Sequence, residues 1–131
     1  MFLNAARIAG ADGERGTAML MVTGSRPQFS AAGRQALLVQ MAVAEVTGVE
    51  LARICGAKRG DSRSALARQT AMYLCHLVFR MNRAQVGVAF GRDRKTVCHA
   101  LERIEELRED VEFDRMLAWL ESSLSRAEDR P

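Results

Sequence analysis

Apolar residues recur every three or four positions through most of the chain after residue 30, which is the spacing of amphipathic helices. A first helix is predicted to begin after a Ser30 cap and to run to about Thr47, where Gly48 ends it. Ser62 or Ser64 would cap a later helix. The same spacing predicts further helices over residues 49–55, 65–78, 95–110 and 113–124.

The segment 82–107 has the pattern of a short helix, a glycine turn and a second helix. Asn82 and Gln85 match a capping box at the start of the first helix. Gly91 marks the turn, and Asp93 is placed to cap the second helix. The predicted buried stripe of that helix is Val97, Leu101, Ile104 and Leu107. This pattern predicts a helix-turn-helix, whose second helix would enter the major groove of DNA.

Four ordered motifs in this part of the chain resemble the C-terminal DNA-binding domain of the bacterial replication initiator DnaA. The motifs are Ala67–Leu74, Val86–Asp93, Thr96–Ala100 and Ile104–Leu107, and a looser similarity extends from about Gln35 to Leu124. The resemblance implies an all-α fold, a small helical bundle of the Trp-repressor type. It also implies binding of double-stranded DNA through the second helix of the motif and an upstream basic loop.

Charge is strongly segregated along a chain whose net charge is only +3. Residues 51–99 hold 10 Lys and Arg against 2 Asp and Glu, a balance of +8, whereas residues 100–131 hold 5 against 10, a balance of −5. A solvated helix face usually mixes both signs, so a basic band of this kind favours a polyanionic partner. The charge pattern thus agrees with the resemblance in predicting nucleic acid.

The resemblance assigns particular residues to the DNA interface. Within the loop after residue 56, Lys58, Arg59 and Arg63 are expected to lie along the DNA backbone and into the minor groove. Arg68 and Gln69, in the first turns of the next helix, are expected to face DNA. The turn and the start of the second helix complete the predicted interface with Arg92, Asp93, Arg94, Lys95 and Thr96.

The start of the second helix departs from the family pattern in a way that bears on specificity. The family usually has two glycines before Arg-Asp and then His-Thr-Thr, whereas this chain has one glycine and then Arg94-Lys95-Thr96. An arginine in place of histidine favours O6 and N7 of guanine, and Asp93 could accept from a cytosine amino group. We therefore predict a target site different from the initiator's own box.

The C-terminal part is predicted to close the core and not to touch DNA. The second helix of the motif turns acidic on its outer side, so phosphate would repel its far end. The last helix has an apolar stripe expected to pack inward, and Trp119 is expected to cover the bundle. That stripe is Phe113, Met116, Leu117, Leu120 and Leu124.

Several kinds of chemistry are not predicted. The chain has no G-x-x-x-x-G-K-[ST] phosphate loop and no carboxylate pair in a catalytic setting, so neither an enzyme nor a cofactor is expected. Cys-His pairs at 75–76 and 98–99 suggest zinc, but adjacent helical residues point about 100° apart and cannot converge easily on one ion. Three widely spaced cysteines fit reduced thiols. With no membrane-spanning run or signal peptide, a cytoplasmic location is predicted.

The leading interpretation is a stand-alone, sequence-specific DNA-binding protein that regulates transcription. Some activators of phage-like or gene-transfer-agent genes are similar in carrying an initiator-like DNA-binding domain. One alternative is a replication-control accessory that competes for initiator boxes. Another is an adaptor that acts on RNA polymerase or a partner activator through the acidic C-terminal helices. Residues 1–28 are predicted to be a flexible arm, 29–124 the helical domain and 125–131 a tail.

Overall fold

The computed structural model describes residues 31–56 and 61–129, with side chains up to residue 127. The described residues form six α-helices and no strand, which confirms the all-α fold class. The helices are α1 (Ala31–Thr47), α2 (Leu51–Cys55), α3 (Ser62–Val78), α4 (Arg83–Phe90), α5 (Arg94–Leu107) and α6 (Val111–Asp129). The predicted N-terminal arm, the Ser30 cap, Lys58 and Arg59 lie outside the described residues.

Helix α3 lies at the centre of the bundle and contacts each of the other five helices. Residues 71–75 of this helix are apolar and buried on every side, as expected for a helix enclosed by neighbours. Its buried apolar residues are Ala67, Ala71, Met72, Tyr73, Leu74 and Cys75. Burial raises the pKa of the Cys75 thiol to about 12, so this cysteine stays protonated and serves as a small core residue.

The ends of the first helices follow local capping chemistry. Gly48 takes a left-handed conformation with a φ of 76°, which confirms it as the end of α1. Helix α3 begins at Ser62, three residues before the predicted start, and neither serine caps it. The cap is Asp61, whose carboxylate accepts a hydrogen bond from the Ser64 N–H at 2.8 Å.

Helix α5 ends at Leu107 and not near Asp110, because the Asp110 carboxylate already begins the next helix. This carboxylate accepts hydrogen bonds from the N–H groups of Glu112 and Phe113 at 2.9 and 3.1 Å. Helix α6 then continues to Asp129, past the predicted end of the helical domain at residue 124.

The expectation that Trp119 covers the bundle is wrong, since this side chain is 59% exposed. The predicted apolar stripe of α6 does pack inward at its leucines, since Leu117, Leu120 and Leu124 are buried. Successive residues of a helix lie about 100° apart around its axis, so a helix that buries these leucines turns residue 119 outward.

Candidate nucleic-acid interface

Helix α4 begins with the predicted capping box. The Asn82 side chain accepts from the Gln85 N–H at 2.8 Å, and the Gln85 side chain accepts from the Asn82 N–H at 2.8 Å. Two of the N–H groups that a helix leaves without partners are satisfied in this way. Val86 and Phe90 are buried and fix α4 against the core.

Two glycines make the tight turn between α4 and α5 possible. Gly91 adopts a left-handed conformation, with φ 65° and ψ 36°. Gly87 has a different role: a Cβ atom at this position would lie 2.7 Å from the backbone oxygen of Arg92. The Arg92 N–H also donates to the Gly87 carbonyl at 2.9 Å, so the chain folds directly back over α4. The sequence pattern identified Gly91, whereas the role of Gly87 emerges only from this close approach.

The start of α5 is capped by Asp93, as predicted. Its carboxylate accepts the Thr96 N–H at 2.7 Å. Hydrogen bonds from the backbone and the side chain of Thr96 hold the pKa of Asp93 below its usual range. The cap thus keeps a negative charge at the first turn, beside the cations of Arg94 and Lys95.

The first turn of α5 is open to solvent on its outer side. Arg94, Lys95 and Thr96 are all exposed, and so is His99 one turn further on. Val97 is fully buried and anchors the helix from within, together with Leu101 and Ile104 of the predicted stripe. The structure therefore presents a compact group of donors on the surface of a firmly packed helix.

Arg68 does not take the exposed position expected of it. Its side chain is only 7% exposed, and it donates to the Ile54 carbonyl at 3.0 Å and to the Arg53 carbonyl at 2.9 Å. Burial and the nearby charge of Arg92 lower the pKa of Arg68, but a guanidinium remains protonated in such surroundings. These two donors point into the protein, and a contact between Arg68 and DNA stays a prediction.

Arg92 is also turned inward, although it is only half-buried. Its Nη2 donates to the Gly56 carbonyl at 2.9 Å, and Nη1 lies 3.4 and 3.5 Å from the carbonyl oxygens of Gly91 and Phe90. The turn of the helix-turn-helix is thereby joined to the end of α2, immediately before residues 57–60.

The remaining predicted residues differ in their positions. Arg63 is exposed, with Nη2 donating to the Thr47 carbonyl at 2.7 Å, and Gln69 is half-buried. Lys58 and Arg59 lie outside the described residues. The structure therefore brings Arg92 to Thr96 together at one turn and places Arg63 beside the end of α1.

The far end of α5 is fixed by a polar network that the sequence pattern did not reveal. Arg108 donates to the Tyr73 hydroxyl at 3.0 Å and to Asp114 at 2.6 Å, and its Nη1 lies 2.9 Å from Glu121 Oε2. Tyr73 in turn donates to Glu105 at 2.7 Å. Although burial works against the charge, these hydrogen bonds and the Glu121 carboxylate raise the pKa of Arg108. The network ties the end of α5 to α3 and α6.

The described residues also bear on membrane spans, metal sites and cysteine chemistry. None of the helices in them is long and apolar enough to cross a membrane. Within the same residues, no group of three or more His, Cys, Asp or Glu side chains is arranged to hold a metal ion. All three cysteines are free: Cys75 is buried, Cys98 is half-buried and Cys55 is exposed.

A helical bundle that presents the cationic first turn of one helix beyond a tight glycine turn is a helix-turn-helix protein. The family model described as "Bacterial dnaA protein helix-turn-helix" matches residues 37–104, just over half of the chain. The chain therefore belongs to this family, as its motifs predicted.

Curated relatives are chromosomal replication initiator proteins named DnaA. That of Ruegeria pomeroyi is 40% identical over 85 residues, covering 59% of this chain and 18% of the relative. The Zymomonas mobilis protein is 44% identical over 61 residues, covering 44% of this chain and 13% of the relative. The Aquifex aeolicus protein is 36% identical over 81 residues, covering 60% of this chain and 20% of the relative. The chain thus spans at most about a fifth of these relatives.

A solved structure supports the same relationship. The crystal structure of a DNA replication initiation factor superimposes with a TM-score of 0.65 at 29% identity. The match covers 73% of this chain and 30% of that chain. The helical arrangement described above is therefore that of one part of a larger initiation factor.

Proposed function

We propose that this protein binds double-stranded DNA in a sequence-specific manner, with the first turn of α5 in the major groove. The observation that carries the proposal is the exposure of Arg94, Lys95 and Thr96 side by side on a helix whose inner side is fully packed. A helix presented in this way can approach base edges without rearrangement of the core. The family membership and the names of the relatives support the same partner.

The side chains at this turn suit different parts of a DNA duplex. Arg94 can make a bidentate contact with O6 and N7 of guanine, and Lys95 can do the same or bind phosphate. The lowered pKa of Asp93 keeps its carboxylate available as an acceptor for a cytosine amino group. Thr96 suits a phosphate or a thymine methyl group. A site rich in G·C pairs at the centre is the expected target.

Contacts with the DNA backbone are proposed for the basic segment that follows α2. Arg63 is exposed beside this segment, and Lys58 and Arg59 belong to it in the sequence. Arg92 donates to the Gly56 carbonyl and directly precedes Asp93, so the end of α2 lies close to the start of α5. Gln69, which is half-buried on α3, is proposed to contact the DNA backbone as well. Phosphate contacts of this kind add affinity without reading sequence.

We propose transcriptional regulation as the biological role. Arg94 and Lys95 replace the family's His-Thr, which argues for sites other than the initiator's own box. Control of replication is the second candidate, and the replication initiators among the relatives favour it. The two roles differ in where the protein binds on the chromosome.

The test is selection of bound duplexes from a random library with the full chain, followed by mapping of bound sites across the genome. Arg94→Ala should relax the preference at one base pair, a loss of discrimination of about 1–3 kcal/mol. Arg59→Ala should weaken binding to all sequences alike and lower the salt slope by about 0.9.

Each result has a definite consequence. Enrichment at a few promoters supports a regulator, whereas a preference for initiator boxes near an origin supports replication control. Equal losses across all sequences for both variants would contradict the division of roles between Arg94 and the basic segment. Binding of all duplexes with the same affinity would refute sequence-specific recognition.

A further inference from the structure

We infer that the outer side of helix α6 binds a second copy of this protein, with the two α6 helices packed antiparallel about a two-fold axis at Trp119. This surface, the α6 face, consists of the exposed residues Glu112, Arg115, Trp119, Ser122 and Arg126. It shares no residue with the first turn of α5, so self-association through it is separate from the proposed binding of DNA.

The centre of the α6 face is apolar and uncovered. Trp119 is 59% exposed, although Leu117 and Leu120 beside it are buried in the core. An exposed tryptophan keeps a large apolar ring in water, and aromatic side chains are enriched in the contact surfaces of protein partners. Burial of this ring against a second copy would remove it from water without any change in the core.

The two charged ends of the α6 face are complementary to each other. Glu112 lies seven residues before Trp119, and Arg126 lies seven residues after it. Seven residues make almost two turns, so all three side chains share one side of the helix, with each charge about 10 Å from the tryptophan along the axis. In an antiparallel pair centred on Trp119, Glu112 of each copy therefore faces Arg126 of the other.

The rest of the face fits the antiparallel orientation and disfavours the parallel one. Arg115 lies four residues before Trp119 and Ser122 three residues after it, so the antiparallel pair sets an arginine against a serine. A parallel pair in register would set Glu112 against Glu112 and Arg126 against Arg126. Because like charges in contact are unfavourable, the charge pattern selects the antiparallel pair.

Both charges are also available for a second copy. Within the part of the chain that the structure describes, neither the Glu112 nor the Arg126 side chain forms an ion pair. Other acidic residues of the same helix differ, since Asp114 and Glu121 both pair with Arg108 on the inner side. Helix α6 thus uses its inner charges within the bundle and leaves its outer ones free.

The experiment measures association of the full chain without DNA. Trp119 is the one tryptophan of the sequence, so its fluorescence reports on this surface alone. Two single helices bury less than about 1,200 Å², and we therefore expect a dissociation constant on the order of 10–100 µM. Between about 1 and 500 µM protein, the emission should move to shorter wavelength as the mass measured by sedimentation equilibrium doubles.

Charge reversal tests the pairing itself. Glu112→Arg and Arg126→Glu should each raise the dissociation constant roughly tenfold, because each turns two attractive pairs of the dimer into repulsive ones. An equal mixture of the two variants should associate as tightly as the wild type, since each supplies the charge that the other lacks. Arg103→Glu makes the same charge change at an exposed position on α5 and should have no effect.

The possible outcomes are distinct. A monomeric mass and unchanged emission up to about 500 µM would overturn the inference, and the two charges would then serve only the dipole of α6. A mixture that associates no better than either variant alone would overturn the antiparallel pairing. Emission at short wavelength that does not depend on concentration would instead indicate a contact within one chain. Thermal unfolding of each variant shows that folded protein is compared.

Discussion

The two ends of helix α5 are built in opposite ways. At its start, Arg94 and Lys95 are exposed, and the cap, Asp93, is exposed with them. At its end, Arg108 is enclosed by an aromatic ring and acidic groups from α3 and α6. A helix end that reads DNA must keep its donors available, whereas an anchoring end is stable only when its charges have protein partners.

The contrast is clearest between two arginines on this one stretch of chain. Arg94 projects from the first turn, where none of the six described helices packs over it, as its exposure shows. Arg108 has a side chain that is 25% exposed and lies where α6 returns across the bundle. The same side-chain chemistry is thus free for the proposed recognition at one end and serves as an anchor at the other, according to what the fold places beside it.

The largest loss of stability is expected from Arg108→Met, which alters the anchored end of α5. The variant removes the donors to Tyr73 and Asp114 and leaves the half-buried Glu121 carboxylate, whose Oε2 is enclosed, without its counter-charge. The free energy of unfolding should fall by about 2–4 kcal/mol, measured by urea denaturation. Arg115→Met, at an exposed position of α6, should change it by no more than about 0.5 kcal/mol. Similar losses for both variants would show that the network does not anchor α5.

A smaller effect is expected from Gly87→Ala, which alters the turn before the reading end. The added Cβ would meet the Arg92 carbonyl oxygen at 2.7 Å, a backbone atom that can move only with the turn. A loss of stability of about 1–3 kcal/mol is expected, accompanied by weaker DNA binding. Gly91→Ala is the matched control, since its Cβ would meet no atom within 4 Å and only the left-handed φ opposes it. A Gly87→Ala protein more stable than the Gly91→Ala protein would contradict this account.

The smallest effect is expected at the Asp93 cap, and it depends on pH. Hydrogen bonds from Thr96 lower the pKa of Asp93 in the folded chain below its ordinary value of 3.8. The charged cap therefore adds stability above about pH 4, and this contribution is lost as the pH falls through the lowered pKa. Thermal unfolding of the wild type and Asp93→Asn should differ most near neutral pH and converge in strong acid. A difference that stays constant from pH 7 to pH 2 would exclude this linkage.

Much of the local structure could be predicted because its causes lie within a few residues. The Asn82 capping box, the Asp93 cap and the left-handed Gly91 are all confirmed. Each depends on hydrogen bonds or backbone sterics between residues close in sequence. The apolar spacing likewise identified Val97 and its neighbours as the inner side of α5, because helix geometry alone brings such residues onto one face.

The sequence was less informative where a side chain had a choice of partners. Arg68 and Arg94 both stand in the first two turns of their helices, and the family resemblance assigned both to DNA. The carbonyls that capture Arg68 belong to α2, and only the packing of α2 against α3 brings them within reach. Trp119 shows the same limit, because its exposure depends on which side of α6 meets the core.

The amino-acid sequence by itself thus determined the number and order of the helices, the caps at Asn82 and Asp93, the glycine turn and the family, since these follow from short-range spacing and residue chemistry. The tertiary structure alone decided which arginines point inward, which carbonyls they hold and which end of α5 is free. The reason is physical: a long charged side chain can satisfy its hydrogen bonds in water or in protein, and only neighbours distant in sequence offer the second possibility.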